Sequence, residues 1–312
     1  MIWIIGAGPM AVDYSKVADT LKKNITVIGR SQESADKFKG ITGKPVVTGG
    51  LQAFIDGKPN LPESAIVCVS IEQLATTAIV LMNYGVKKIL LEKPGGISNK
   101  EIQKVADTAL ETNSSVMIAY NRRYYASVLK AKEMIKADGG VTSFNFEITE
   151  WSHVIKNHKK DIRAMHSWFL GNTSHVVDAA FFLGGAPIEI STFNKGKLDW
   201  HPASSNFAGA GTTNTGALFS YCGNWEGPGR WSLDIITSSH RYIFRPFEQL
   251  HIQEIGSIAF KKVEINDDVE KDLKPGLYLQ CKNFFDSNYD NMCSIEEQVK
   301  LSSIYENMAG YH

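Results

Sequence analysis

The sequence has no excess of charge of either sign: 33 Lys and Arg stand against 33 Asp and Glu, a formal net charge of zero at pH 7. Without a long-range field, binding to nucleic acid or to an anionic membrane surface is not expected, and an anionic ligand must be held by local groups. Long hydrophobic runs are also missing, because every apolar stretch is broken by glycine or charge before it reaches membrane-spanning length. Cysteine is scarce. Cys68, Cys222, Cys281 and Cys293 are scattered, without the paired spacings of a disulfide framework or metal site, so a reducing compartment and no bound metal are expected. The apolar start Met1–Ile5 has no basic flank and runs at once into glycines, unlike a signal peptide, and a cytoplasmic protein is expected.

What is present is ordinary globular material. At 312 residues, 43% apolar and 21% charged, the chain is too rich in apolar residues for disorder and too long for one core, so two domains are expected. Up to about Tyr120, short apolar runs at Ile2–Ile5, Ile25–Ile28, Ala65–Val69, Ile89–Leu91 and Val116–Ala119 alternate with amphipathic stretches. They predict a doubly wound parallel sheet with crossover helices. Ala11, Tyr14, Val17, Ala18 and Leu21 share one helical face; Ile102, Val105, Ala106 and Ala109 share another, behind a capping box at Ser98–Glu101. Beyond Gly139-Gly140 the texture changes to alternating runs, Ser143–Thr149, Ala217–Tyr221, Trp231–Thr237 and Tyr242–Phe247, which predict antiparallel strands with one covered face. Helices are predicted over Val128–Ala137, Ser174–Leu183 and Ser294–Met308. The fold class is α/β followed by α+β.

Gly6-Ala7-Gly8-Pro9-Met10-Ala11 follows the first strand and opens a helix, the context in which G-x-G-x-x-A signals a dinucleotide site. The glycines admit a pyrophosphate to the backbone, and the helix N-terminus offers unpaired N–H groups; the alternative is a tight turn without a ligand. The second strand ends at Gly29-Arg30-Ser31, where a carboxylate would bind the ribose diol of NAD. Arg30 and Ser31 suit a 2′-phosphate instead, so NADP is favoured over NAD. The alternative is a solvated Arg30 and NAD held without an acidic partner. Ser70 lies just past the third predicted strand, and Glu92-Lys93-Pro94 just past the fourth, where ligands of an open α/β sheet gather. Pro94 restrains Lys93 to an extended backbone, which suits a proton donor; a solvated surface lysine is the plain alternative.

Thr173 and Ser174 read as N-cap residues, placing His175 in a first helical turn, where the dipole disfavours imidazolium, with Asp178 one turn on. Alternatively His175 is a core histidine and Asp178 complements the dipole. His153, His158 and His166 lack the spacing of a helical metal-binding pair. Arg122, Arg123, Arg163 and Arg245 suit a substrate phosphate or surface ion pairs. Trp151, Trp168, Trp200, Trp225 and Trp231 suit sugar faces or core packing.

Together, Gly6-x-Gly8-x-x-Ala11, Glu92-Lys93-Pro94, Tyr120-Asn121-Arg122-Arg123-Tyr124 and His175-x-x-Asp178, in this order, resemble the glucose-fructose oxidoreductase / inositol dehydrogenase / MocA family over nearly the whole chain. The resemblance implies a Rossmann domain over 1–122, and over 123–312 a substrate-binding and oligomerisation domain on a large open, mostly antiparallel sheet, its last helix able to pack back on the first domain. It implies an NAD(P)-dependent oxidoreductase moving a hydride to or from a secondary alcohol of a sugar, nucleotide sugars included; a cyclitol (inositol) dehydrogenase and a non-catalytic sensor of cofactor and sugar are the alternatives. By position, Lys93 and His175 are the catalytic pair. Gly6, Gly8, Pro9, Met10, Ala11, Arg30, Ser31, Ser70, Glu92 and Lys93 are the cofactor set, and Lys93, Asn121, Arg122, Asn172, His175 and Asp178 the substrate set. A homodimer or higher homo-oligomer is implied. One position departs: Gly171 stands where the family often has an aspartate four residues before the histidine, and Asn172 beside it cannot supply the charge.

Overall fold

The structure is a computed structural model that describes residues 1–311. Contacts divide the chain into two units, Met1–Asn121 with Asp268–Ser302, and Arg122–Asp267 with the residues from Ser303 on.

In the first unit the apolar runs become six parallel strands: Ile2–Ile5 (β1), Ile25–Ile28 (β2), Val46–Val47 (β3), Ser64–Val67 (β4), Lys88–Leu91 (β5) and Ser115–Ile118 (β6). Their order is β6-β5-β4-β1-β2-β3, the doubly wound arrangement, and every residue of β1 and β4 is buried, as coverage on both faces requires. Strand order reverses between β1 and β4, which makes the crevice beyond their carboxyl ends the natural ligand position. The helix Pro9–Thr20 buries Ala11, Tyr14, Val17 and Ala18. The helix Asn99–Glu111 buries Ile102, Val105 and Ala109; Ser98 Oγ accepts the Glu101 N–H, and the Glu101 carboxylate accepts the Ile97 N–H.

One boundary differs from expectation. The sequence reading gives 123–312 to one domain and anticipates only the return of the last helix. In the structure all of Asp268–Ser302 belongs to the first unit. Cys293–Ser294 pairs antiparallel with Met117 and Ile118 on β6, and Lys88 Nζ donates to the Phe285 carbonyl at the end of helix Leu277–Phe285. A two-residue strand and a nine-residue helix carry too little periodicity to declare such a return.

The second unit is built on an eight-stranded sheet: Ser143–Glu147 (β7), Pro187–Lys195 (β8), Asn206–Thr213 (β9), Leu218–Asn224 (β10), Ser232–Ile236 (β11), His240–Phe244 (β12), His251–Glu254 (β13) and Lys261–Lys262 (β14). The order is β14-β13-β12-β11-β7-β10-β9-β8, antiparallel except between β7 and β10. On β10, Phe219, Tyr221 and Gly223 face inward while Leu218, Ser220, Cys222 and Asn224 face out. The helix Ser174–Gly184 covers the inner face, with the Phe181 ring edge-on to Phe144, Phe146 and Phe219 at 6.2, 5.8 and 5.2 Å. On the outer face Ile188, Phe193 and Leu218 are exposed.

Candidate functional site

The nucleotide end is built into the first unit's backbone. Gly6 has φ +121°, and a Cβ there would lie 2.6 Å from the Cys68 carbonyl oxygen at the end of β4, so only glycine allows β1 and β4 to approach this closely at the switch point. Gly8 faces open space, since a Cβ would meet nothing within 4 Å. It is the N-cap of helix Pro9–Thr20 without a side-chain cap, and Pro9 opens the helix, so no side chain caps the amides of Met10 and Ala11. This bare, positively polarised terminus fits a dinucleotide pyrophosphate. At the end of β2, Arg30 is exposed, whereas Ser31 is the N-cap of helix Gln32–Thr42 and its hydroxyl accepts the Ser34 N–H at 3.3 Å. Ser31 therefore has a structural duty, and Arg30 is the freer group. Ser70 is exposed, its hydroxyl bonded to Glu72.

Past β5 the chain runs through Glu92-Lys93-Pro94, with the Lys93–Pro94 bond cis. The Pro94 carbonyl accepts from Gln298 Nε2 at 2.9 Å, and the same amide lies 3.2 Å from the Tyr120 hydroxyl. Tyr14 donates to Glu92 Oε1 at 2.6 Å, so one oxygen of this expected cofactor ligand is engaged within the protein. Burial pushes the Glu92 carboxyl up, against the Tyr14 hydrogen bond and the Lys93 and Lys274 charges, which pull it down. Asn121 is buried and its amide donates to the Pro275 carbonyl at 2.9 Å, tying down the returning segment; that role competes with the expected substrate contact.

In the second unit His175 is buried and lies on helix Ser174–Gly184, but this helix has no fresh N-terminus. Phe169–Thr173 is π-helical and runs straight into it, and Thr173 has helical φ and ψ of −64° and −27°. The expected caps serve elsewhere: Ser174 Oγ donates to the Leu170 carbonyl at 2.6 Å and Thr173 Oγ1 to Glu150 Oε1 at 2.8 Å. The dipole argument for His175 therefore does not hold, because the amides ahead of it are inside a continuous helix. Asp178 is fully buried and receives the Arg123 guanidinium, with Nε at 2.9 Å and Nη2 at 2.6 Å, an ion pair that commits its oxygens to holding the unit together rather than to a substrate.

Glu150 is the residue the sequence reading missed. It is 1% exposed; its Oε1 accepts from Trp168 Nε1 (3.3 Å), Asn172 Nδ2 (2.8 Å) and Thr173 Oγ1 (2.8 Å), and its Oε2 from Arg230 Nη1 (2.8 Å). A buried carboxylate thus grips both residues that follow Gly171, including the expected substrate ligand Asn172. Arg230 stacks on Trp151 and Trp231 at 5.0 and 4.6 Å, Arg122 on Trp231 at 4.9 Å, and the rings of His175 and Trp231 are 6.4 Å apart. The one available signal was the repeated charge-aromatic step, Glu150-Trp151 and Arg230-Trp231, at the ends of predicted strands.

Other expectations resolve into packing. Arg163 pairs with its neighbour Asp161 at 3.0 Å, and Arg245 with Ser232 at 2.7 Å and Glu147 at 3.5 Å. Trp200 and Trp225 are buried and stacked 5.7 Å apart. Among the described residues no three His, Cys, Asp or Glu side chains gather as metal ligands, and no helix is long and apolar enough to cross a membrane.

No family model matches the chain, and no curated protein matches it. Solved structures do. Levoglucosan dehydrogenase in complex with NADH and L-sorbose superimposes with a TM-score of 0.80 at 18% identity, covering 98% of this chain and 95% of that one. The UDP-N-acetylglucosamine 3-dehydrogenase of Acidithiobacillus ferrooxidans gives 0.75 at 13% identity, covering 97% and 94%. An oxidoreductase of Thermotoga maritima gives 0.78 at 17%, covering 99% and 95%. The chain has their fold. It is the fold implied by the glucose-fructose oxidoreductase / inositol dehydrogenase / MocA resemblance, over 98–99% of the chain in the first and third of these matches.

Proposed function

We propose that the protein is a nicotinamide-dependent oxidoreductase of that family, acting on a secondary alcohol or ketone of a sugar. The observation that carries this reading is the uncapped glycine cradle at the β1–β4 switch point, in the same unit as Glu92-Lys93-Pro94 at the carboxyl end of β5. Structural neighbours that bind NADH and sugars support it.

When bound, the nicotinamide supplies or accepts the hydride. The residues of this chain do the rest. Gly6 and Gly8 let the backbone approach the pyrophosphate, and the Met10 and Ala11 amides hydrogen-bond it. Arg30 pairs with a 2′-phosphate, so NADP is preferred to NAD. As the carbinol oxygen gains charge, the Lys93 ammonium steadies it, and the His175 imidazole takes the hydroxyl proton or returns it. A nucleotide sugar is the preferred form of substrate, the protein works as a homo-oligomer through the exposed outer face of its large sheet, and it resides in the cytoplasm.

Lys93→Ala tests the reading. NADPH affinity should stay within a few-fold while turnover of the true substrate falls roughly 10²–10⁴-fold, the ordinary contribution of such a group. A variant with near-normal turnover refutes the role of Lys93. Gly171 favours a second reading, a sensor: tight NADPH binding with no turnover of any polyol, cyclitol or nucleotide sugar would select it over the enzyme.

A further inference from the structure

We propose that Arg122, Arg230 and Trp231 form an anion-binding subsite beside His175, selecting a substrate that carries a carboxylate or phosphate group. The inference rests on the oxidoreductase reading and narrows its substrate class.

The indole of Trp231 is flanked by two guanidinium groups, with Arg122 Cζ 4.9 Å and Arg230 Cζ 4.6 Å from its ring. Stacking on an aromatic face orients a guanidinium and leaves its N–H edge free to bind. The two arginines differ in their partners. Arg230 donates to Glu150 at 2.8 Å and is nearly half exposed. Arg122 makes no ion pair among the described residues, touches the rings of Tyr125 and Trp231, and has its Nε buried without an acceptor. The indole Nε1 of Trp231 is likewise buried without an acceptor. Both donor atoms, on side chains stacked against each other, are therefore buried with nothing to accept from them, and a donor left unsatisfied carries a desolvation penalty.

The nearby carboxylates do not fill the role. Glu150 is already bound by four donors, and Glu248, which acts on Arg122 only through its field, is exposed. Burial and the Arg230 charge lower the pKa of the Arg122 guanidinium, while Tyr125, Glu248 and Glu150 raise it. An oxyanion accepts from the Arg122 edge and the Trp231 N–H together, satisfying both orphaned donors and balancing the Arg122 charge, since Glu150 already balances Arg230. Because the His175 ring lies 6.4 Å from that of Trp231, such an anion would be a substituent on the molecule His175 acts upon. Arg163 and Arg245 are engaged by their own neighbours and are not part of the subsite.

The test follows the Trp231 indole N–H resonance, assigned through Trp231→Phe, in full-length protein with NADPH, as glucuronate, glucose 6-phosphate, UDP-glucose and neutral glucose are titrated to millimolar concentration. At least one anionic sugar should shift it saturably and bind at least tenfold more tightly than glucose. Which one responds tells a carboxylate site from a phosphate site. Arg122→Gln should weaken that binding about 10- to 100-fold, Arg122→Lys less, and the control Arg163→Gln not at all. The proposal is overturned if no anion moves the resonance, if glucose binds as tightly, or if a folded Arg122→Gln protein binds the anion like wild type. Loss of NADPH binding in the unmodified protein would refute the oxidoreductase reading instead; intact cofactor binding with turnover of neutral sugars alone would refute only the anion subsite.

Discussion

Acid should loosen the second unit through a single buried histidine. His201 is fully buried; its Nδ1 lies 2.8 Å from the Ser204 carbonyl and its Nε2 2.7 Å from the Tyr311 hydroxyl, which also accepts the Phe169 N–H at 3.1 Å. In the neutral ring Nδ1–H donates to Ser204, and Nε2 accepts from Tyr311. A proton on Nε2 would break the second of these bonds. Burial, more than the repulsion from His166, lowers the pKa from 6.5 to about 4, against the Ser204 hydrogen bond that raises it. The folded value is below the unfolded one, so the unfolded chain takes up the proton first as pH falls. The stability involved is complete above pH 6.5 and is lost between pH 6.5 and about 4. The full gap corresponds to about 3 kcal/mol, of which about 2 kcal/mol is gone by pH 5. Urea unfolding can be followed by tryptophan fluorescence, because Trp151, Trp168, Trp200, Trp225 and Trp231 all belong to this unit and only Trp3 to the other. Between pH 7.5 and pH 5 the advantage of wild type over His201→Gln should shrink by about 2 kcal/mol. Parallel pH dependences for the two proteins would refute the argument.

Three further outcomes are expected. Arg30→Ala should narrow the preference for NADPH over NADH in calorimetry, and equal or tighter NADH binding by wild type would contradict the 2′-phosphate role. Glu150→Gln should destabilise the protein by about 1–3 kcal/mol, because Arg230 loses its countercharge and the Trp168, Asn172 and Thr173 donors share a weaker acceptor, as read from chemical denaturation; an unchanged midpoint would mean that Glu150 does not anchor the segment after Gly171. Light scattering should give a dimer or larger at micromolar protein, and Phe193→Lys with Leu218→Lys should lower the mass, since both side chains sit on the exposed outer face of the large sheet; a wild-type monomer would exclude this interface.

The legible parts of the fold were those written locally. Ile2–Ile5 and Ile25–Ile28 are bare apolar runs and became strands with those bounds. Strand β9, Asn206–Thr213, went unread because Gly209 and Gly211 look like breakers. They are small because the Tyr221 and Phe219 rings from β10 occupy their side-chain space, and a Cβ would come within 2.4 and 2.8 Å of those rings. The helix Leu74–Tyr84 was missed since its residues are apolar nearly all round, without a stripe to mark it. At the candidate site, Gly6, Gly8 and the Glu92-Lys93-Pro94 run stand out by motif and position. Glu150 and Arg230 acquire their meaning only when strands distant in sequence bring a carboxylate to a guanidinium. Thr173 and Ser174 misled because a cap-forming residue type says nothing about whether the chain ahead of it is already helical.

The return of Asp268–Ser302 to the first unit also sets an order of events during synthesis. The six parallel strands leave the ribosome first, yet the sheet edge at β6 stays open until Cys293–Ser294 arrives, after the whole eight-stranded sheet has been made. The second unit waits as well, because Tyr311, which closes on His201 and Phe169, follows later still. Until both segments have emerged, a nascent chain thus carries two nearly finished sheets and exposes an unpaired strand edge. A chain that stopped before Cys293 would leave both units incomplete, so cellular quality control would meet it as two faulty folds at once.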